Sequence, residues 1–172
     1  VWSGGIFSID ASYRRQEAAI KTANHFSSLQ DHLPDYFYYK DANSRYLGGN
    51  LAWRAYHGFL EPDSWVGHSD LDSKVLPREE AERFYKTEQD IFRTGQGKRT
   101  RERLMSPQGQ LLYLDTIKVP FYDDDGELLG LVGLTRDITE QVMTELDLAK
   151  AKAAAEQAAL AKSSFLAVMS HE

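Results

Sequence analysis

The sequence predicts an α+β fold: a five-stranded antiparallel sheet with short helices on one face, an amphipathic helix before it and a long helix after it. Three observations carry this expectation. Strand-like runs fall in two blocks, a pair before Asn50 and a triplet from Lys98 onward, each joined by clusters of turn-forming residues. Between the blocks, apolar residues recur at helical spacing. From Thr139 to the end there is neither Pro nor Gly, and alanine dominates residues 149 to 161.

The elements follow in order. Tyr13, Ala19, Ile20, Ala23 and Phe26 lie among polar residues as one apolar stripe, which predicts a leading helix over residues 11 to about 30. Pro34 breaks that pattern, and Asp35 to Lys40 is aromatic enough for a strand. The turn Asp41-Ala42-Asn43-Ser44 returns the chain through Arg45-Tyr46-Leu47 as the second strand. Asn50 is placed to cap a helix from Leu51 to His57, stopped by Gly58. An irregular helical stretch is expected around Asp63 to Val66, closed by Gly67. Pro77 opens the clearest helix, with Ala81, Phe84, Tyr85, Ile91 and Phe92 on one stripe and Gly95 as its stop; Glu88 interrupts that stripe. Thr100 to Met105, Gln110 to Phe121 and Leu128 to Thr135 then read as three strands around the turns at Ser106-Pro107-Gln108-Gly109 and Asp123-Asp124-Asp125-Gly126. In the middle strand Leu111, Tyr113, Ile117 and Val119 share one face, and Leu112 and Leu114 the other. Both faces are therefore expected to be covered, one by the short helices and one by the leading helix.

Composition narrows the functional classes. The 172 residues suffice for one cored domain with appendages. Without cysteine there is no disulfide, thiolate zinc site, iron–sulfur cluster, thiol nucleophile or cysteinyl flavin. A net charge of −6 supplies no basic stripe for phosphates, so no nucleic-acid partner is expected. The longest apolar run, Leu128 to Leu134, is far short of the ~20 residues that span a bilayer. Val1-Trp2 followed by Arg14-Arg15 suits the cytoplasmic flank of a membrane helix in a longer protein, or an arbitrary boundary, equally well. No paired carboxylates, triad or phosphate-cradling glycine loop point to a free-standing enzyme.

The final helix is expected to run from Thr139 to Glu172, about 50 Å at 1.5 Å per residue. Its heptad positions, Leu146, Ala153, Leu160 and Ala167 with Val142, Ala149, Glu156 and Ser163, are only moderately apolar, as in a weak coiled coil or a solitary linker helix.

Two stretches carry a family resemblance. Leu131 to Glu140, with Asp137-Ile138-Thr139, resembles the last strand and exit motif of a PAS sensor domain. Phe165-Leu166-Ala167-Val168-Met169-Ser170-His171-Glu172 resembles the first half of the phosphoacceptor box of a bacterial sensor histidine kinase. Leu33-Pro34-Asp35, Asn50 with Gly58, Gly67, and Pro120 to Gly126 add weaker matches in the same order. The resemblance divides the chain into a helical linker (1–30), a PAS sensor domain (31–140) and a signalling helix leading into the phosphoacceptor helix (141–172). It implies that His171 accepts phosphate from ATP bound to a catalytic domain not contained in this chain, with Glu172 as an acid/base assistant. A neutral imidazole suits that nucleophilic role, although a lone terminal His is ordinarily just solvated.

The resemblance also implies an interior pocket lined by Tyr38, Trp53, Tyr56, Leu104, Leu114, Thr116 and Thr135. Plain core is the competing reading for most of these side chains. The Thr116 and Thr135 hydroxyls would want partners, which a small molecule or noncovalent flavin could supply. Haem is disfavoured because the helix from Ala81 to Phe92 has no His, and His57 and His68 read as ordinary helix-end and loop residues. His25 and His32 have no evident third ligand, so no metal is expected. Asp137 is expected to cap the last helix, or to pair with Arg136 or another arginine, and so to transmit sheet geometry with Ile138 and Thr139. The expected partners are a second copy of the chain, the kinase catalytic domain, and a response regulator or receiver domain. The expected setting is a cytoplasmic segment, with an inner-membrane anchor in the parent left open. A ligand-free PAS module that only holds dimers together is the alternative.

Overall fold

The computed structural model describes residues 4–59, 61, 64–106 and 108–170, with side chains from residue 12 onward. The elements are α1 (Gly4–Asp31), β1 (Tyr36–Asp41), β2 (Tyr46–Gly49), α2 (Leu51–His57), a 3-10 turn at Asp70–Asp72, α3 (Arg78–Thr94), β3 (Lys98–Met105), β4 (Leu111–Tyr122), β5 (Leu128–Asp137) and α4 (Thr139–Met169). The strands form one antiparallel sheet in the order β2-β1-β5-β4-β3. The α+β architecture is therefore as expected. Asp63 lies outside the described residues, and Ser64 to Gly67 form a turn.

Register sets which side chains meet beneath the sheet. Tyr38 faces Gly133, and Gly133 in turn faces Lys118; Thr135 faces both Tyr36 and Thr116. A Cβ on Gly133 would lie 2.2 Å from the Tyr38 ring, so only glycine lets that ring lie flat on the sheet. Tyr38, Tyr46, Trp53, Trp65 and Leu131 form one buried cluster, and Leu104, Leu112 and Leu114 another. The helices α2 and α3 and the 3-10 turn pack over this inner face.

Asn50 holds the entry to this layer together. Its Oδ1 accepts from the N–H groups of Trp53 and Phe37 at 3.0 and 3.1 Å, and its Nδ2 donates to the carbonyls of Gln30, Leu33 and Asp35. The predicted cap thus also fixes the end of α1 to β1. Asp31 adds a 2.7 Å bond from the Leu51 N–H. Gly58 ends α2 in the left-handed conformation, at φ 71°.

The outer face corrects one expectation. Leu111, Ile117 and Val119 are exposed, and so are Tyr13, Ile20, Phe26 and Leu29 of α1. The leading helix does not cover the sheet within one chain, although Phe26 approaches Phe37 edge-to-face, at 6.5 Å between ring centroids. α1 is fastened at its C-terminal end by Asn50 and Asp31, and most of its apolar stripe stays exposed. α4 is helical for 31 residues, about 46 Å, and buries none of them.

Candidate functional site

All seven side chains expected around a pocket line one cavity: Tyr38, Trp53, Tyr56, Leu104, Leu114, Thr116 and Thr135. Its volume is about 60 Å³. That is room for roughly four to six water-sized positions, since one water needs about 10–15 Å³. Aromatic side chains take much of the remaining interior: the Trp53 ring lies 4.6 Å from that of Tyr46 and 4.7 Å from that of Trp65.

Beside the cavity lies a charge cluster that the sequence reading did not assemble. Lys40 from β1 donates to Asp70 Oδ2 at 2.6 Å and to Glu88 Oε1 at 2.8 Å, and Lys118 from β4 donates to the same Glu88 oxygen at 2.7 Å. The Tyr46 hydroxyl donates to Asp70 Oδ1 at 2.5 Å, and the Lys40 ammonium sits 4.3 Å from the Tyr46 ring centroid. Lys40 and Glu88 are fully buried. Two cations and two anions balance, which is what makes their burial tolerable. Glu88 Oε2 has no hydrogen-bond partner.

Three sequence signals mark this cluster: Lys40 follows Tyr36 and Tyr38 on one strand face, Lys118 follows Leu114 and Thr116 on another, and Glu88 interrupts the stripe of α3. Each is a charge at a core position. Nothing local reveals that the three converge, or that the 3-10 turn brings Asp70 to them.

The environment shifts several ionisations. Burial pushes the Asp70 carboxyl up, but the two lysines and the bonds from Lys40 and Tyr46 prevail and hold it at about 2. Burial opposes the charge on Lys40, yet Asp70 and Glu88 outweigh it and raise its pKa. Tyr38 and Tyr46 are raised, chiefly by burial. Tyr56 is raised to about 12 by burial, with Tyr36 and Asp137 adding to it. His57 is lowered to about 4, mainly by burial; Asp70 opposes this and Lys40 reinforces it. The His57 ring stacks on Phe59 at 5.6 Å and packs on Trp53 at 4.6 Å, between the cavity and an outer groove lined by Ser69 and Lys74.

The other histidines stand apart. His68 is exposed, and His32 bonds to the Ser28 carbonyl at 2.6 Å. Among the described residues no cluster of three or more metal-ligating side chains occurs. His171 and Glu172 lie outside the described residues, which reach Ser170.

At the sheet exit the structure chooses among the expectations for Asp137. Its carboxylate accepts from the Thr139 N–H at 2.9 Å, a local turn just before α4, whose N-cap residue is Ile138. Arg136 pairs instead with Asp35, at 2.7 Å, joining the end of β5 to the segment between α1 and β1. The Ile138 N–H donates to the Tyr113 carbonyl, and the Tyr113 N–H donates to Thr139 Oγ1 at 2.9 Å. Ile138 itself is buried. The β4 ladder thus continues into the helix start.

A five-stranded sheet with this strand order, helices over one face and a helix leaving the last strand define a one-sheet α+β domain. A family model described as the PAS fold matches residues 30–143, and the chain belongs to that family. The aerobic respiration control sensor protein ArcB of Escherichia coli (strain K12) is 30% identical over 145 residues, covering 84% of this chain and 17% of ArcB. The virulence sensor protein BvgS of Bordetella bronchiseptica (strain ATCC BAA-588 / NCTC 13252 / RB50) is 32% identical over 165 residues, covering 92% of this chain and 13% of BvgS. The solved PAS domain of Bordetella pertussis BvgS matches the fold with a TM-score of 0.58 at 21% identity, over 78% of this chain and 98% of that one. The chain spans 17% or less of the length of these curated relatives. The resemblance to a PAS sensor segment is borne out, and with it a sensory role. No described helix is long and apolar enough to cross a membrane.

Proposed function

We propose that this chain is the cytoplasmic sensing and dimerising segment of a two-component histidine kinase. The state of its PAS interior sets the orientation of α4, and thereby the access of His171 to ATP on the parent's catalytic domain. Phosphate then passes to a response regulator or receiver domain. The observation that carries this reading is the pair of hydrogen bonds between Tyr113 and the Ile138–Thr139 junction: a helix base hydrogen-bonded into the sheet turns when the sheet does. Dimerisation is supported by the exposed apolar residues of α1 and by Ile117 and Val119 on the outer face, surfaces that a second copy would bury.

Small alanines along α4 permit rotation between paired helices at low cost. Glu172 assists proton removal from His171 in this scheme. A ligand-free scaffold is the second reading, favoured by the small size of the cavity. Native mass spectrometry of freshly purified protein separates the two: a retained small molecule supports sensing, and an empty dimer supports scaffolding.

The test is phosphotransfer. The chain alone should incorporate no phosphate from ATP, and should incorporate it on His171 once the parent's catalytic domain is added. Undiminished labelling of a His171→Gln variant would refute the assignment.

A further inference from the structure

We infer that the cavity takes a small uncharged molecule bearing a carbonyl or hydroxyl oxygen at one end and a short hydrocarbon at the other. The inference rests on the sensing reading above and specifies its ligand chemistry.

The argument begins with unspent donors. Lys118 lines the cavity and is buried, yet its ammonium makes one hydrogen bond, to Glu88 Oε1. An ammonium has three N–H groups, so two are left. It also faces two rings, Phe84 at 5.1 Å and Tyr38 at 6.0 Å, which attract the charge without accepting a conventional hydrogen bond. Thr116 and Thr135 bond to each other at 2.9 Å. Two hydroxyls joined by one bond keep one further O–H to donate. The polar wall therefore offers donors from Lys118 and the threonine pair, while Asp70 already accepts from Lys40 and Tyr46, and Glu102 Oε1 from Arg83 and Thr100. The ammonium of Lys118 can only donate, so a ligand that satisfies it brings an acceptor oxygen.

Charge then chooses between a neutral oxygen and a carboxylate. The four buried charged groups of the cluster already sum to zero, and Glu102 has Arg83 as its counter-ion. A carboxylate would add an uncompensated negative charge to a buried site, whereas a carbonyl or hydroxyl oxygen takes the free donors and leaves the balance intact. Among the other lining residues Leu76, Leu104 and Leu114 are aliphatic and suit a methyl or methylene end. The volume of about 60 Å³ limits the ligand to roughly four to six non-hydrogen atoms. So small a ligand binds no more tightly than about micromolar.

Hydroxyacetone, with five non-hydrogen atoms, is a suitable probe, and acetate is its anionic counterpart of similar size. Both are titrated into the 172-residue chain at constant ionic strength and pH 7.5 while amide NMR resonances are followed. Hydroxyacetone should give saturable shifts centred on Thr116, Lys118 and Thr135, with acetate at least tenfold weaker. Thr116→Val removes a hydroxyl without touching the charge cluster and should weaken hydroxyacetone about five- to tenfold. Leu104→Phe fills the apolar end and should abolish the shifts with Lys118 in place. Tighter binding of acetate, absence of saturable shifts, or equal affinity in both variants would overturn the inference. Because these readouts report occupancy alone, their failure alongside intact His171 labelling sinks the ligand class and leaves the sensing reading standing.

Discussion

The hydroxyl oxygen of Thr139 accepts a 2.9 Å hydrogen bond from the backbone N–H of Tyr113, so the first residue of the exit helix occupies a place in the β4 ladder. Replacing that hydroxyl by a methyl group leaves the amide without its acceptor. Thr139→Val should cost about 1 kcal/mol of stability and speed hydrogen exchange at Tyr113 about fivefold, with strand amides near Val119 unchanged. Equal exchange in both proteins would mean the bond is not a fastening.

Glu88 carries two lysines on one oxygen, and neutralising it leaves Lys118 without a counter-ion and Lys40 with Asp70 alone. Glu88→Gln should lower the unfolding free energy by about 3 kcal/mol in urea titrations, the usual loss when one member of a buried ion network is neutralised. Arg78→Gln, which breaks an exposed pair with Glu82, should leave the midpoint almost unmoved. Similar effects from the two substitutions would contradict the weight given to the buried cluster.

Acid should weaken the domain in two stages. The pKa of His57 is depressed to about 4 from 6.5, so the unfolded chain takes up the proton first. This contribution is complete above pH 6.5 and is lost as pH falls from there toward 4, about 2 kcal/mol by pH 4.5. Asp70, at about 2 against 3.8, stabilises above 3.8 and loses its contribution between 3.8 and 2. Urea titrations of wild type and His57→Phe between pH 7 and 4.5 check the first stage. The variant should lose about 2 kcal/mol less stability than wild type over that range, and parallel curves would rule out a neutral packed imidazole.

Local chemistry explains what could be read in advance. Asn50 and Gly58 were legible as the two ends of α2 because a cap is decided within a few residues. The pocket-lining set came from the family resemblance alone. The Lys40–Glu88 contact joins residues 48 apart, and it depends on how α3 lies on the sheet, which no local pattern encodes. The uncovered outer face escaped for a related reason. An apolar strand face announces burial without saying whether the cover comes from the same chain. The bond from the Thr139 N–H to Asp137 joins residues two apart and is decided locally, but the choice of Asp35 by Arg136 turns on proximity between residues 101 apart.

The central claim is that α4 turns His171 as a rigid unit driven from the sheet, and helix phase tests it most directly. One residue inserted after Ala153 rotates everything beyond it by about 100°, whereas seven residues restore the phase to within about 20°. In the full-length parent, the rate of His171 phosphorylation should change several-fold on inserting one residue and return near wild type on inserting seven. Rates that ignore phase and simply decline with inserted length would contradict the account.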